Sequence, residues 1–303
     1  MFKGTFIAVI GATAYGFISL FTKKLVDLSV NSSTILVSRF FIISMVIGFY
    51  LVLSKRLVRP TKKQLLNLLF FGVLGYGGAI FLLAESYQYI PMGQATMIHF
   101  AYPLFVAMFM VVFYREKITW VKTAALGLTC LGIGFLMEFN LSYNLWGVFI
   151  ALLSGAAFGL YMVSVSQSSI RDLDTFNLLF YLSVTIVLVF GVMGMLRGEL
   201  QLLNLDYAVY SNMICVAGLS IVGIAFMTIA IRTIGPTYAA MISVFEPVVA
   251  LLCGIVVYNE SVTVYNTLGS FFMLVVILLI ALEGYLKIKV KKKRKMETNE
   301  YEN

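Results

Sequence analysis

Four ionisable side chains fall well inside long apolar stretches of this sequence: Arg39, Glu85, His99 and Glu246. A charge at the centre of a bilayer costs at least ~2.5 kcal/mol even on insertion scales, so such residues persist where they do chemistry or pair with one another. One fixed cation, two carboxylates and the only imidazole of the chain could hold ionic groups of a solute or carry a proton. Imidazole is the side chain that titrates near neutral pH without help. Arg39, Glu85 and His99 each sit about four to six residues from the same end of their segments. At ~1.5 Å per residue that puts the three in one layer, ~5–10 Å below a surface. The layer reads either as an outer gate or proton site, or as an Arg39–Glu85 ion pair with His99 as a hydrogen-bonding neighbour. Glu246 stands apart beside Pro247, near the midplane. A lone carboxylate there is a candidate to bind a cationic group of a substrate or to carry a coupling proton.

The segments bearing His99 and Glu246 share a pattern. Gly93, Thr96, His99 and Pro103 in one, and Thr237, Ala240, Ser243 and Pro247 in the other, follow spacings of 3, 3 and 4, so each set lies on one helical face. A face of small and polar residues packs closely on a neighbour or lines a solute path. Each proline frees the carbonyl one turn earlier, that of His99 and of Ser243. Pro103 and Pro247 are therefore candidate hinges at the depth where transporters break their helices.

The elements that must hold these residues follow from composition. The chain is 61% hydrophobic and 12% charged, whereas a soluble domain is near half apolar and a quarter charged. Apolar runs of the ~20 residues needed to cross ~30 Å of hydrocarbon recur at roughly 4–21, 34–53, 65–88, 93–114, 121–138, 144–163, 175–196, 208–231, 237–257 and 265–286. They lack the apolar/polar alternation of barrel strands, and only helices or closed barrels satisfy the backbone in lipid. The expected fold class is all-α integral membrane, with ten transmembrane helices.

The first and second halves echo each other. At a shift of 144 residues Ile90, Ala95, Met97, Ile98, Pro103, Tyr114 and Glu116 meet Ile234, Ala239, Met241, Ile242, Pro247, Tyr258 and Glu260. At 143, Gly4, Phe6, Ala8, Ala14 and Gly16 meet Gly147, Phe149, Ala151, Ala157 and Gly159. The first run, with Lys3 ahead of it, could pass for a signal peptide. Its echo lies inside the chain, so it is expected to be a helix. Residues 1–140 and 141–286 form the two five-helix repeats, and 287–303 a basic tail.

With the N-terminus in the cytoplasm, 18 Lys and Arg fall on the cytoplasmic side and three on the other. That asymmetry predicts cytoplasmic termini in a multi-pass protein of the cell (inner or plasma) membrane. Five spans per repeat then invert the second copy, an arrangement typical of alternating-access transporters. The net charge of +8 reflects topology and does not suggest nucleic acid. The tail Lys287–Lys295 could anchor the chain or bind anionic lipid head groups. Glu116 and Glu260, at helix ends, are expected to cap or anchor the helices that follow.

Tyr89-Ile90-Pro91, Ala95, Tyr102-Pro103 and Arg115-Glu116-Lys117-Ile118-Thr119 resemble the EamA family of the drug/metabolite transporter superfamily. The second copy, Ile234-Gly235-Pro236, Ala239, Glu246-Pro247 and Asn259-Glu260-Ser261-Val262-Thr263, is similar to that family's second domain. The resemblance covers nearly the whole chain. It implies export or exchange of small metabolites such as amino acids across the inner membrane, and leaves the substrate unnamed.

No nucleotide-binding loop, HExxH, paired-Cys motif or GxSxG occurs, and Cys130, Cys215 and Cys253 match no metal-ligand spacing. No enzyme activity, cofactor or metal is expected. The leading reading is a secondary transporter, an exporter coupled to protons or working by exchange, with a small-molecule substrate and membrane lipids as partners. Its rivals are an uptake permease for a planar solute such as a vitamin, and a non-transporting sensor or lipid-handling protein. A polar-lined cavity near Pro103 and Pro247, open to one side, separates the first two from the last. Oligomeric state is not written in the sequence. Positions where the repeat fails are where the substrate is expected: His99 against Ser243, Tyr102 against Glu246, Glu85 against Ile229.

Overall fold

A computed structural model describes residues 2–90, 92–136, 144–200, 206–258, 263–265, 267–272, 274–280 and 282–283. Pro91, the stretch Asn259–Val262 with Glu260, and the tail 287–303 lie outside the described residues. Every element among the described residues is helical. In order they are α1 Phe2–Asp27, α2 Ser32–Leu53, α3 Lys62–Asn67, a π-helical stretch Leu68–Gly77, α4 Gly78–Ser86, α5 Met92–His99, α6 Tyr102–Tyr114 and α7 Trp120–Leu136. The second half runs through α8 Leu145–Gln167, a 3-10 turn Ser169–Asp172, α9 Thr175–Leu196, α10 Tyr207–Ile234, α11 Pro236–Ser243 and α12 Glu246–Tyr258.

Eight helical stretches are long and apolar enough to cross a membrane, α3 to α4, α5 to α6 and α11 to α12 each counting as one. Two more apolar helices, Trp120–Phe135 and Thr267–Ile280, are shorter, so ten full spans are not seen among the described residues. Polar side chains fix the helix starts where the sequence supplies them. Asn31 accepts from the Thr34 amide at 2.8 Å, Asp174 accepts from Phe176 at 3.0 Å, and Thr61 and Gln64 form a reciprocal box.

The internal repeat is visible in the helix boundaries. α2 and α9 start and end 143 residues apart, and α5–α6 and α11–α12 break at positions 144 apart. The packing repeats with the halves exchanged. α1 lies on α10 and α12, while its counterpart α8 lies on α4 and α6, and α2 lies on its own counterpart α9. The buried core is accordingly shared between repeats: Phe40 and Tyr76 of the first, with Leu178, Leu182 and Ala239 of the second, belong to one cluster. Where lipid is as apolar as the side chains, such packing depends on close contact more than on solvent exclusion.

Candidate functional site

Two helix breaks meet at the centre of the bundle. α5 ends at His99 and α6 begins at Tyr102; α11 ends at Ser243 and α12 begins at Glu246. Proline at 103 and 247 has no amide hydrogen, so each four-residue bond is lost and replaced by tight i→i−3 contacts. Leu104 donates to Ala101 at 2.9 Å and Val248 to Phe245 at 3.1 Å. Glycine on the facing helix lets the backbone at each break pack closely. A Cβ at Gly155 on α8 would stand 2.8 Å from the His99 carbonyl, and one at Gly16 on α1 would stand 2.9 Å from the Glu246 carbonyl. Only glycine lets the backbones come so close.

Beside the breaks lies a cavity of about 200 Å³ whose wall includes Arg39, His99, Tyr102 and Glu246. Tyr15, Tyr76 and Phe158 supply its aromatic faces. These rings brace one another: Tyr76 stands edge-on to Phe40 at 5.7 Å and to Tyr161 at 4.8 Å, and Tyr102 edge-on to Phe158 at 4.9 Å. His99 Nδ1 lies 2.9 Å from Ser154 Oγ. The Tyr102 hydroxyl bonds to Ser243. Tyr76 sits on the π-helical stretch, a local widening that recurs at functional sites.

The charges in this wall do not touch. Arg39 and Glu246 form no ion pair within 4.0 Å among the described residues. Arg39 Nε is buried without a hydrogen-bond partner. A buried donor left unmade costs on the order of 1–3 kcal/mol, more for a charged group.

Among the described residues the cavity continues toward one end of the bundle. It adjoins a second cavity of about 310 Å³ between α1, α2 and α4, and a third of about 360 Å³ around Asn31, Glu85, Gln88 and Glu199. Ile80 and Tyr87 line all three, so they form the neck. The opposite, Lys/Arg-rich end is tied shut across the repeats. Lys122 pairs with Glu116 and stands 4.5 Å over the Tyr238 ring. Glu116 accepts from the Thr237 hydroxyl at 2.7 Å, and Glu283 accepts from Tyr238 at 2.8 Å and Thr119 at 3.2 Å. Nearby, Asn177 on α9 holds the α2–α3 loop through the Arg56 carbonyl at 3.0 Å and the Val58 amide at 2.9 Å.

The expected site residues are thus partly gathered. Arg39, His99, Tyr102 and Glu246 share one cavity. Ser243 is buried behind it, bonded to Tyr102 and the Ala240 carbonyl. Pro103 and Pro247 shape the breaks and are buried. Glu85 does not pair with Arg39. It belongs to the end cavity, where it accepts from Gln88 at 3.2 Å, while Arg39 faces inward. Equal depth in the membrane does not place two residues on facing sides of their helices. Glu116 anchors the helix that follows through Lys122 on α7, and it also ties that helix to Thr237 of the second repeat. Sequence reasoning missed Lys122, Tyr238 and Glu283, and gave Thr237 only a place on the small and polar face of its helix. The one signal was that Lys122 and Glu283 are charges at the ends of apolar segments.

Comparison with known proteins agrees with this architecture. The profile of the EamA-like transporter family matches residues 2–137 and again 145–282. No curated protein matches. Of 29 chains of known structure that match, one is 16% identical, covers 92% of this chain and 96% of its own, and superposes with a TM-score of 0.74, a likeness of fold. The chain is a multi-pass membrane protein and belongs to the EamA-like transporter family.

Proposed function

We propose that this protein is a secondary transporter that exports a small zwitterionic metabolite, such as an amino acid, by alternating access. The reading is carried by one observation: a guanidinium from the first repeat and a carboxylate from the second line the same small cavity without forming an ion pair within 4.0 Å among the described residues. At about 200 Å³ the cavity is below the ~300 Å³ at which drug-sized sites begin, which favours a small solute. Arg39 takes the solute carboxylate and Glu246 its ammonium. The aromatic wall of Tyr15, Tyr76 and Phe158 receives the apolar body. A proton and the ammonium compete for Glu246, so release of one favours uptake of the other and gives exchange for a proton or for a second solute molecule.

Orientation follows from charge. The end tied by Lys122 and Glu116 carries the excess of Lys and Arg, which the positive-inside tendency assigns to the cytoplasm of the cell membrane, with both termini there. The cavity then opens outward, and the two repeats, 1–140 and 141–286, are inverted five-helix units. A non-transporting protein has no need of a charged central cavity with one open end. The test is counterflow in proteoliposomes against pooled amino acids, nucleosides and vitamins. Accumulation of labelled amino acid, lost in Arg39→Gln, is expected. Accumulation of a planar vitamin alone would favour the permease reading, and none at all would refute transport of these solutes.

A further inference from the structure

His99 and Tyr102 are each anchored by a serine whose own proton is already committed. Ser154 on α8 donates to the Ala151 carbonyl at 2.6 Å and stands 2.9 Å from His99 Nδ1. Ser243 donates to the Ala240 carbonyl at 2.8 Å and accepts from the Tyr102 hydroxyl. A hydroxyl has one hydrogen to give and two lone pairs to receive. With its hydrogen on Ala151, Ser154 receives only, so the hydrogen between it and His99 belongs to Nδ1. Which ring nitrogen is bare is set by the bond the other makes. In the neutral ring Nε2 therefore presents a lone pair.

Nε2 has no hydrogen-bond partner among the described residues, and His99 lines the cavity that holds Arg39 and Glu246. Phe100, Tyr102 and Phe158, with centroids 6.1, 5.6 and 5.6 Å from the imidazole, keep the ring from turning. The anchor belongs to one repeat alone. Gly11 stands 143 residues before Ser154, and Ser243 stands 144 after His99.

We propose that Ser154 locks His99 with its proton on Nδ1, making Nε2 a fixed acceptor that, with Glu246, selects solutes whose ammonium bears N–H groups over fully N-methylated ones. The selection rests on reading the cavity as the solute site; the lock does not. A quaternary ammonium has no hydrogen to give and would leave the acceptor unpaired in a buried wall, the kind of mismatch that binding sites reject most strongly.

Because His99 is the only histidine, imidazole-nitrogen NMR of tag-free, isotope-labelled, full-length protein reads a single ring. At alkaline pH the proton is expected on Nδ1 in the wild type. It should move to Nε2 in Ser154→Ala and return to Nδ1 in Ser154→Thr, which keeps the hydroxyl. A wild-type ring protonated on Nε2, or no change in Ser154→Ala, overturns the lock. Methylammonium should then shift the Nε2 resonance of the wild type, tetramethylammonium should not, and Ser154→Ala should weaken the methylammonium response about tenfold, the size of one ordinary hydrogen bond. Equal responses to the two cations, or a response to neither, overturn the selection. Failed counterflow with the lock intact would count against transport alone.

Discussion

At the Lys/Arg-rich end of the bundle, Lys122 and Glu283 are 5% and 8% exposed; Lys122 pairs with Glu116, which accepts from Thr237, and Glu283 accepts from Tyr238 and Thr119, across both repeats. At the opposite end Glu85 and Glu199 are half-buried around an open cavity, bonded at its rim to Gln88 and Ser33. The difference is one of how charge is held. Buried charges that satisfy one another are expensive to separate, so one end stays shut; rim charges near solvent cost little to rearrange. Between the two ends, Arg39 and Glu246 are half-buried in the wall of one cavity and form no ion pair within 4.0 Å among the described residues. The repeat cannot mirror the closed end: 144 residues after Lys122 stands Asn266, and 144 before Tyr238 stands Gln94. The Lys122 tie therefore has no copy at the other end, where Lys23 on α1 stands 3.8 Å over the Tyr258 ring of α12.

The contrast can be broken by substitution. The largest effect is expected in the centre. Arg39→Gln or Glu246→Gln should cut counterflow about a hundredfold, since losing one buried charge contact costs at least ~2–3 kcal/mol. Thermal stability of both variants should change little, because the two charges form no ion pair within 4.0 Å among the described residues. A stability loss with transport intact would make these residues structural. Next, Lys122→Met should lower stability by about 3 kcal/mol, since it leaves Glu116 without its cation. Unchanged thermal denaturation would mean that the tie holds nothing.

Smaller effects sharpen the comparison. Gly155→Ala puts a Cβ 2.8 Å from the His99 carbonyl, where backbone must move, and should cost about 2 kcal/mol. Gly127→Ala, with nothing within 4 Å, is the matched control and should be neutral or slightly stabilising in denaturation. The least is expected at the open rim. Glu85→Gln and Glu199→Gln should each change stability by no more than about 0.5 kcal/mol, and a loss as large as that of Lys122→Met would erase the distinction between the ends.

Much of this was legible in the residues, and the failures have a common cause. Proline at 103 and 247 and the 144-residue echo announced both helix breaks, because a missing amide acts locally wherever the chain goes. Arg39, His99 and Glu246 were legible as candidates because charge in an apolar segment is costly, and they line one cavity. Arg39's neighbour was not. Position along a segment gives depth, but rotation about the helix axis and packing decide which cavity a side chain faces. Lys122 and Glu283 looked like ordinary interfacial charges, since nothing local marks them as partners of one network. Phe158 was lost among 25 phenylalanines. The π-helical stretch leaves no periodic signature in a run that is apolar throughout.

The most direct test asks from which side the central cavity can be reached. Ser19 lines it and is exposed. In a chain with Cys130, Cys215 and Cys253 replaced, Ser19→Cys should react with a membrane-impermeant thiol reagent in right-side-out vesicles and be protected in inside-out ones. Reaction from the cytoplasmic face alone, or equally from both faces, would contradict a cavity that opens outward and is closed at the Lys122 end.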